Sequence, residues 1–338
     1  MRYLIYGAGS LGTVLGAYLT NAGLDVMLCN RNEAHVKALN ENGAVITGKL
    51  NMNVKVKACI PSALKGKYDI IFLMTKQQNN PEVVKSLLDF MHNKSVIVVL
   101  QNGIPEEGVK EIAGDCRVLG GVVEWGAKLV SPGNVVFTSD LSANIIRLEN
   151  NRKVDEKRIL EVKEALETMC SVYLEDNMIG VRWSKLLINA TFTGIGTSIG
   201  GLFGDVYRNR VARELAVRSV KECIDVAEGN GVTLEKVQGV DIKKIFYYTN
   251  PVKKEIAKFI MPIAMRKHKD TEPSMLQDIK KGKHSEIDYI NGIVNEWGKK
   301  KNIPTPVNER IVEIVKMEER GEIGLSSENI KLYNEILK

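Results

Sequence analysis

A short apolar strand that runs straight into a G-x-G-x-x-G turn constrains this chain more than any other feature. Met1 to Tyr6 lead into Gly7-Ala8-Gly9-Ser10-Leu11-Gly12, and a helical pattern follows. Strand, turn and helix in that order predict a dinucleotide-binding βαβ unit. Each glycine has a physical task in such a turn. Gly7 permits the tight bend, Gly9 lets the backbone approach a pyrophosphate, and Gly12 lets helix and strand pack closely. The helix N-terminus then offers N–H groups and a positive dipole end to the phosphates. Gly7, Ala8, Gly9, Ser10, Leu11 and Gly12 are therefore the expected cofactor cradle. A glycine-rich turn without a ligand is the plainer alternative.

The second strand, Leu24 to Cys29, refines the expectation. A site for NAD usually carries an acid about 20 residues after the glycines, to accept the ribose 2′-hydroxyl. Here the strand ends in Asn30-Arg31-Asn32, and the nearest acid is Glu33. A guanidinium suits a 2′-phosphate through forked, charge-assisted hydrogen bonds. Arg31 thus favours NADPH, the alternative being a solvated residue at the start of a helix.

A length of 338 residues suits two domains of ordinary size. With 44% hydrophobic and 26% charged residues, the composition is that of a globular protein. No apolar run is long enough to span a bilayer, and the first strand is too short for a secretory signal. The five cysteines (29, 59, 116, 170 and 223) show no paired spacing. They suit reduced thiols in a cytoplasm rather than a disulfide framework. The four histidines, 35, 92, 268 and 284, have no metal-ligand spacing, so no metal is expected. Net charge is +6, from dispersed rather than striped Lys and Arg. Nucleic-acid binding would require a concentrated basic face; a mild basic field suits an anionic cofactor and substrate better.

Strand-like runs at 2–6, 24–29, 69–74 and 95–100 alternate with helical patterns, which predicts a parallel sheet covered on both faces. Short strands at Val122-Val123, Val135–Phe137 and Asn144–Ile146, with a Pro132-Gly133 turn, read as a last parallel strand and an antiparallel extension. Beyond about residue 153 the pattern is helical, at 155–170, 176–192, 208–230, 252–267, 274–299 and 307–319. The 176–192 helix is expected to end at Gly194-Ile195-Gly196. The expected division is a Rossmann-type α/β domain, residues 1–150, and an all-helical domain, residues 151–338.

Ligands in open α/β sheets bind at the carboxyl ends of strands. Lys76 and Asn102-Gly103 follow two such strands and are candidates, each with the alternative of a solvated loop. In the helical half, Lys185 and Asn189 share a helix face, and Thr193 continues it. Trp183, Leu186, Leu187 and Ile188 make the surroundings apolar. A lysine there either snorkels or is poised in a cleft as an acid. The stretch 274–292 reads as one amphipathic helix with a solvated polar face.

Taken together, these motifs closely resemble ketopantoate reductases. The resemblance rests on Lys185-x-x-x-Asn189 after Trp183, on Ser274-Met275-Leu276-Gln277-Asp278, and on Ser285-Glu286-Ile287-Asp288-Tyr289-Ile290-Asn291-Gly292. It also takes in the glycine turn, Arg31, Thr75-Lys76, Asn102-Gly103, Gly126-Ala127 and Ile303-Pro304-Thr305-Pro306. It implies a Rossmann domain followed by a helical domain of the 6-phosphogluconate-dehydrogenase type, and NADPH-dependent reduction of the C2 ketone of a 2-oxo acid. By the same resemblance Lys185 is the proton donor, and Glu286 lines the cofactor and substrate cleft, able to hold the lysine and a substrate hydroxyl. Asn189 and Ser274 match substrate-binding positions. Lys76 and Asn102 match residues beside the nicotinamide and its ribose, with Asn102 also within reach of substrate. Ala127 is an approximate match to a cofactor-contacting backbone.

Two features depart from that pattern. The family usually has a second Asn eight residues after the lysine, where this chain has Thr193, a shorter side chain with one donor instead of two. Residues 239–270 are longer than usual and could cap the cleft or form a subunit contact, such as that of a homodimer. Both keep open a related reductase acting on another 2-oxo acid or a derived imine. A non-catalytic NADPH-binding protein is a third possibility, against which the joint presence of Lys185, Glu286 and Ser274 argues.

Overall fold

The computed structural model describes residues 1–140, 144–237 and 239–337. They fall into two compact units, Met1–Met178 and Ile179–Lys338. In the first unit the order is β1 (Arg2–Tyr6), α1 (Ser10–Asn21), β2 (Asp25–Cys29), α2 (Glu33–Asn42), β3 (Ala44–Gly48), β4 (Met52–Val54) and β5 (Lys57–Cys59). Then come β6 (Tyr68–Leu73), α3 (Asn80–Leu88), β7 (Met91–Val99), α4 (Glu106–Ala113), β8 (Val118–Val123), β9 (Ala127–Ser131), β10 (Asn134–Phe137), β11 (Ile145–Glu149), α5 (Glu156–Glu167) and β12 (Ser171–Glu175).

The large sheet has the order β12-β11-β8-β7-β6-β1-β2-β5. From β5 to β8 every pairing is parallel. The central strands are apolar throughout because helices cover both their faces; Ile70 to Leu73 are all fully buried. β11 joins β8 antiparallel, as the sequence suggests, and β12 adds a parallel edge.

Three features differ from the sequence reading. First, the β9–β10 hairpin, turned at Pro132-Gly133, leaves the large sheet. It pairs with β3 and β4 in a second sheet of order β4-β3-β10-β9, which packs against α1. Second, β3, β4, β5 and β12 were not expected, because each is short and broken by polar residues. Third, α5 and β12, which fall in the expected helical domain 151–338, belong to the first unit. Val154, Ile159, Val162, Leu166 and Val172 share one apolar cluster with Tyr3, Leu15 and Val26, so burial ties them to the sheet.

The second unit is helical, as expected. It comprises α6 (Met178–Ile188), a π turn over Asn189–Thr193, α7 (Gly194–Ser198), α8 (Phe203–Arg208), α9 (Arg210–Gly229), α10 (Ile242–Phe246) and α11 (Pro251–Ala264). α12 (Ser274–Lys280), α13 (Ile287–Lys300), α14 (Pro306–Glu319) and α15 (Asn334–Leu337) follow. Two helix boundaries are corrected. The helix through Lys185 does not stop at the glycines but passes through the π turn into α7. The 274–292 stretch is two helices, closed after α12 by the bonds Gly282 N–H to Ile279 O and Lys283 N–H to Asp278 O.

Two buried carboxyls in this unit make its stability depend on pH. Burial pushes Glu222 up to about 7, although Val307 N–H, Asn308 N–H and the Asn308 amide donate to it. Burial likewise pushes Glu318 up to about 8, against one opposing bond from Asn329 and with Glu319 raising it further. Glu318 Oε2 has no hydrogen-bond partner among the described residues. Both folded pKa values lie above that of an unfolded glutamate. Their stabilisation is therefore complete below about pH 4.5 and is lost as pH rises through 7–8. Melting measured from pH 5 to 9 should show wild type losing a few kcal/mol more than Glu318→Gln, which keeps the Asn329 bond without the charge. Identical profiles for the two proteins would refute the assignment.

Candidate active site

In the first unit the expected cofactor residues gather at the carboxyl ends of adjacent strands. Gly7 to Gly12 follow β1, Arg31 follows β2, Lys76 follows β6 and Asn102 follows β7; these four strands are neighbours in the order β7-β6-β1-β2. Gly7 has φ +107°, and a Cβ there would lie 2.5 Å from Met74 C and Thr75 N. A Cβ at Gly12 would lie 2.5 Å from Gly7 O. At Gly9 it would meet only Gly7 O, at 4.0 Å, so that face is open for a ligand's approach. Gly9 caps α1 without a side chain, and the first amides of a helix have no acceptor inside it. This cradle fits a dinucleotide pyrophosphate.

Three polar side chains that the sequence reading did not single out hold the turn. The Ala8 carbonyl accepts Asn30 Nδ2 at 2.7 Å and Thr13 Oγ1 at 3.2 Å, and buried His35 Nε2 lies 3.0 Å from it. Gly133 N–H donates to His35 Nδ1 at 2.9 Å, which leaves the ring proton on Nε2. Burial holds the His35 pKa below its usual value, and the Ala8 bond opposes this only in part. The neutral ring thus ties the glycine turn to the β9–β10 hairpin. His35 is the third residue after Asn32, the side-chain cap of α2, but nothing local in the sequence points to its partners.

The neighbouring loops are cross-linked as well. Gln101 Nε2 lies 2.8 Å from Thr75 O and 2.7 Å from Asn80 Oδ1, and Asn80 returns a bond to Gln101 Oε1. Gln77 Nε2 donates to Asn102 O at 2.5 Å. Lys76 and Asn102 are both half-buried. Arg31 is exposed, in a loop fixed by the bond from Asn32 N–H to Asn30 Oδ1. Ala127, half-buried, opens β9 four residues beyond the end of β8.

In the second unit, Lys185 and Asn189 are half-buried on a helix whose neighbouring residues, Trp183, Leu186 and Leu187, are fully buried. The π turn changes the alignment of that face. Four α-helical residues, Lys185 to Asn189, advance about 40° beyond one turn. Four residues of a π turn, at about 4.4 per turn, fall about 30° short. Thr193 therefore returns close to the line of Lys185, where an unbroken α-helix would set it about 80° away.

A widened turn interrupts the helical ladder and needs outside partners for its backbone. Asn291 Nδ2 supplies one, donating to Ala190 O at 2.9 Å. Asn291 also bonds Asn308 Oδ1 at 2.9 Å, and Asn308 Nδ2 donates to Glu222 at 2.7 Å. A Cβ at Gly194 would lie 2.7 Å from Asn291 Oδ1, so Gly194 serves close packing inside the helix rather than its end.

Ser274 is exposed at the start of α12, and half-buried Glu286 immediately precedes α13. Both helices pack against the π turn. The loop before Glu286 is fixed by the bond from Ser285 N–H to Glu319 at 2.6 Å. The helix that Ser274 opens and the helix that Glu286 precedes thus both lie against the irregular turn that follows Lys185. π turns of this sort recur at functional sites.

Both parts of the chain have counterparts among known proteins. Residues 3–150 match the family model described as ketopantoate reductase PanE/ApbA, and residues 177–319 match its C-terminal counterpart. The chain is 32% identical over 325 residues to a 2-dehydropantoate 2-reductase of Pyrococcus horikoshii, covering 94% of this chain and 98% of that one. Among solved structures it is similar to D-mandelate dehydrogenase with NADH and anilino(oxo)acetate, with TM-score 0.80 and 23% identity, covering 95% and 99% of the two chains. It is also similar to the dimeric ketopantoate reductase from Staphylococcus aureus, with TM-score 0.74 and 17% identity, covering 96% and 100%.

Proposed function

Because this chain belongs to the ketopantoate reductase family, we propose that it catalyses NADPH-dependent reduction of 2-dehydropantoate to pantoate. Bound nicotinamide supplies the hydride that reaches the C2 carbonyl carbon. The Lys185 ammonium gives its proton to the carbonyl oxygen. A cation beside a developing alkoxide stabilises charge present only in the transition state. Asn189 and Ser274 bind substrate, with Thr193 on the same line as Lys185. Glu286 holds the lysine and a substrate hydroxyl, and borders the cofactor. Gly7 to Gly12 carry the pyrophosphate, Arg31 the 2′-phosphate, and Lys76, Asn102 and Ala127 the nicotinamide side.

The observation that carries this reading is the π turn over Asn189–Thr193 directly after Lys185, in a chain whose first unit holds an open glycine cradle. Thr193 itself supports a second reading, reduction of a different 2-oxo acid or derived imine, because a hydroxyl offers one donor where the family has an amide with two. NADPH consumption with ketopantoate and with a panel of other 2-oxo acids separates the two readings. We further propose that the chain is a homodimer, as the Staphylococcus aureus relative is. Five cysteines free of disulfides suit a reducing cytoplasm, and among the described residues no helix is long and apolar enough to cross a membrane.

The cofactor preference has its own test. Arg31→Ala should raise the Kd for NADPH at least tenfold while leaving NADH within about twofold, since a charge-assisted contact to phosphate is worth at least about 1.4 kcal/mol. Equal effects on both cofactors would dismiss Arg31 as the 2′-phosphate ligand.

A further inference from the structure

Helix α11 lies in the 239–270 segment that the reaction leaves unused, and it shows a narrow apolar stripe to solvent. Val252 is 71% exposed, Ile256 51%, Phe259 75% and Ile263 65%. Their spacing of four, three and four residues is that of a helix-pairing seam. The opposite face of α11 is already committed. Ala257 and Met261 are buried, and Lys254 and Lys258 both pair with Glu214 of α9. Burial opposes ionisation of Glu214, but Lys254, Arg218 and Lys258 outweigh it and hold the carboxyl down to about 2. The helix is thus clamped and cannot roll its stripe inward.

We propose that the Val252–Ile256–Phe259–Ile263 stripe is the seam of a homodimer, covered by the same stripe of a second copy; this rests on the homodimer reading above. Charge favours a second copy. At 100° per residue, Lys253 flanks the stripe on one side and Glu255 on the other, and both are exposed. In a two-fold pair with parallel seams, the Lys253 flank of one helix meets the Glu255 flank of its mate. An anionic membrane is the poorer occupant. It calls for a basic polar face, whereas Lys254 is held in an ion pair with Glu214, Lys258 is shared between Glu214 and Glu255, and Glu255 borders the apolar row. Contiguous apolar surface of this kind, as opposed to singly scattered residues, marks interaction sites. Four side chains from each copy form the apolar centre of a contact that, at standard size, buries about 800 Å² per partner.

The test is the molar mass of the full chain by light scattering at about 50 µM, together with Phe259→Glu and Ile256→Glu. Wild type should run at twice 37.6 kDa and both variants at 37.6 kDa. The Kd should rise more than about 100-fold, with the helical circular-dichroism spectrum unchanged, because a central aromatic is the usual hot spot. A dimeric wild type whose two variants stay dimeric overturns the seam and leaves the homodimer reading standing. A monomeric wild type overturns both. Wild type that stays monomeric but sediments with phosphatidylserine vesicles, where Phe259→Glu does not, assigns the stripe to a membrane and likewise overturns the proposal.

Discussion

Lys185→Ala should lower kcat by about 10²- to 10⁴-fold, the usual worth of a positioned acid, while the Kd for NADPH stays within about twofold. The glycine cradle and Arg31 belong to the first unit, and removing the Lys185 ammonium alters none of those residues. The loss corresponds to about 3–5 kcal/mol of transition-state stabilisation. The KM for the 2-oxo acid should change less than kcat, because the charge met by the ammonium develops only as hydride arrives. Single-turnover kinetics with the fold checked by melting would measure this. A variant with near wild-type kcat would remove Lys185 from the chemistry.

Gly12→Ala should weaken NADPH binding by more than about 100-fold, although it adds a single methyl group. The added Cβ would sit 2.5 Å from Gly7 O and 3.0 Å from Ile5 Cγ2. The first is backbone of the turn itself, so neither a rotamer change nor a flexible neighbour can relieve the overlap. The start of α1 must move off β1, and with it the amides that meet the pyrophosphate. Fluorescence titration with NADPH reads the loss, and Thr13→Ala serves as control. Thr13 supports the same turn through its hydroxyl, which bonds Ala8 O and lies 3.1 Å from His35 Nε2, and its loss should cost about tenfold at most. Wild-type affinity in Gly12→Ala would mean that the turn does not cradle the phosphates.

The parts of this fold that were legible in the sequence are those set by local spacing. The glycines act within six residues, and the structure gives Gly7, Gly9 and Gly12 the bend, the open face and the close packing that their spacing implies. Arg31 lies where the β2 run ends. The four parallel strands were readable because burial on both faces makes them continuously apolar. What was missed depends on partners distant in sequence. The hairpin from 127 to 137 pairs with β3, more than 80 residues earlier. His35 takes its tautomer from Gly133. The π turn rests on Asn291, a residue 101 positions after Ala190. Pattern reading assigned Lys185, Asn189 and Thr193 to one regular helix face, but could not see that Asn189–Thr193 form a π turn. Likewise, Gly194 looks like a helix stop until Asn291 is found in the space its side chain would fill.

The most direct test of the account is the initial rate of NADPH oxidation by the purified chain with ketopantoate, set against NADH and against pyruvate, 2-oxoisovalerate and phenylglyoxylate. The account predicts that ketopantoate with NADPH has the highest kcat/KM by at least about tenfold over every other pair, a preference of about 1.4 kcal/mol or more. A higher kcat/KM for another 2-oxo acid, or no NADPH consumption with any of them, would contradict it.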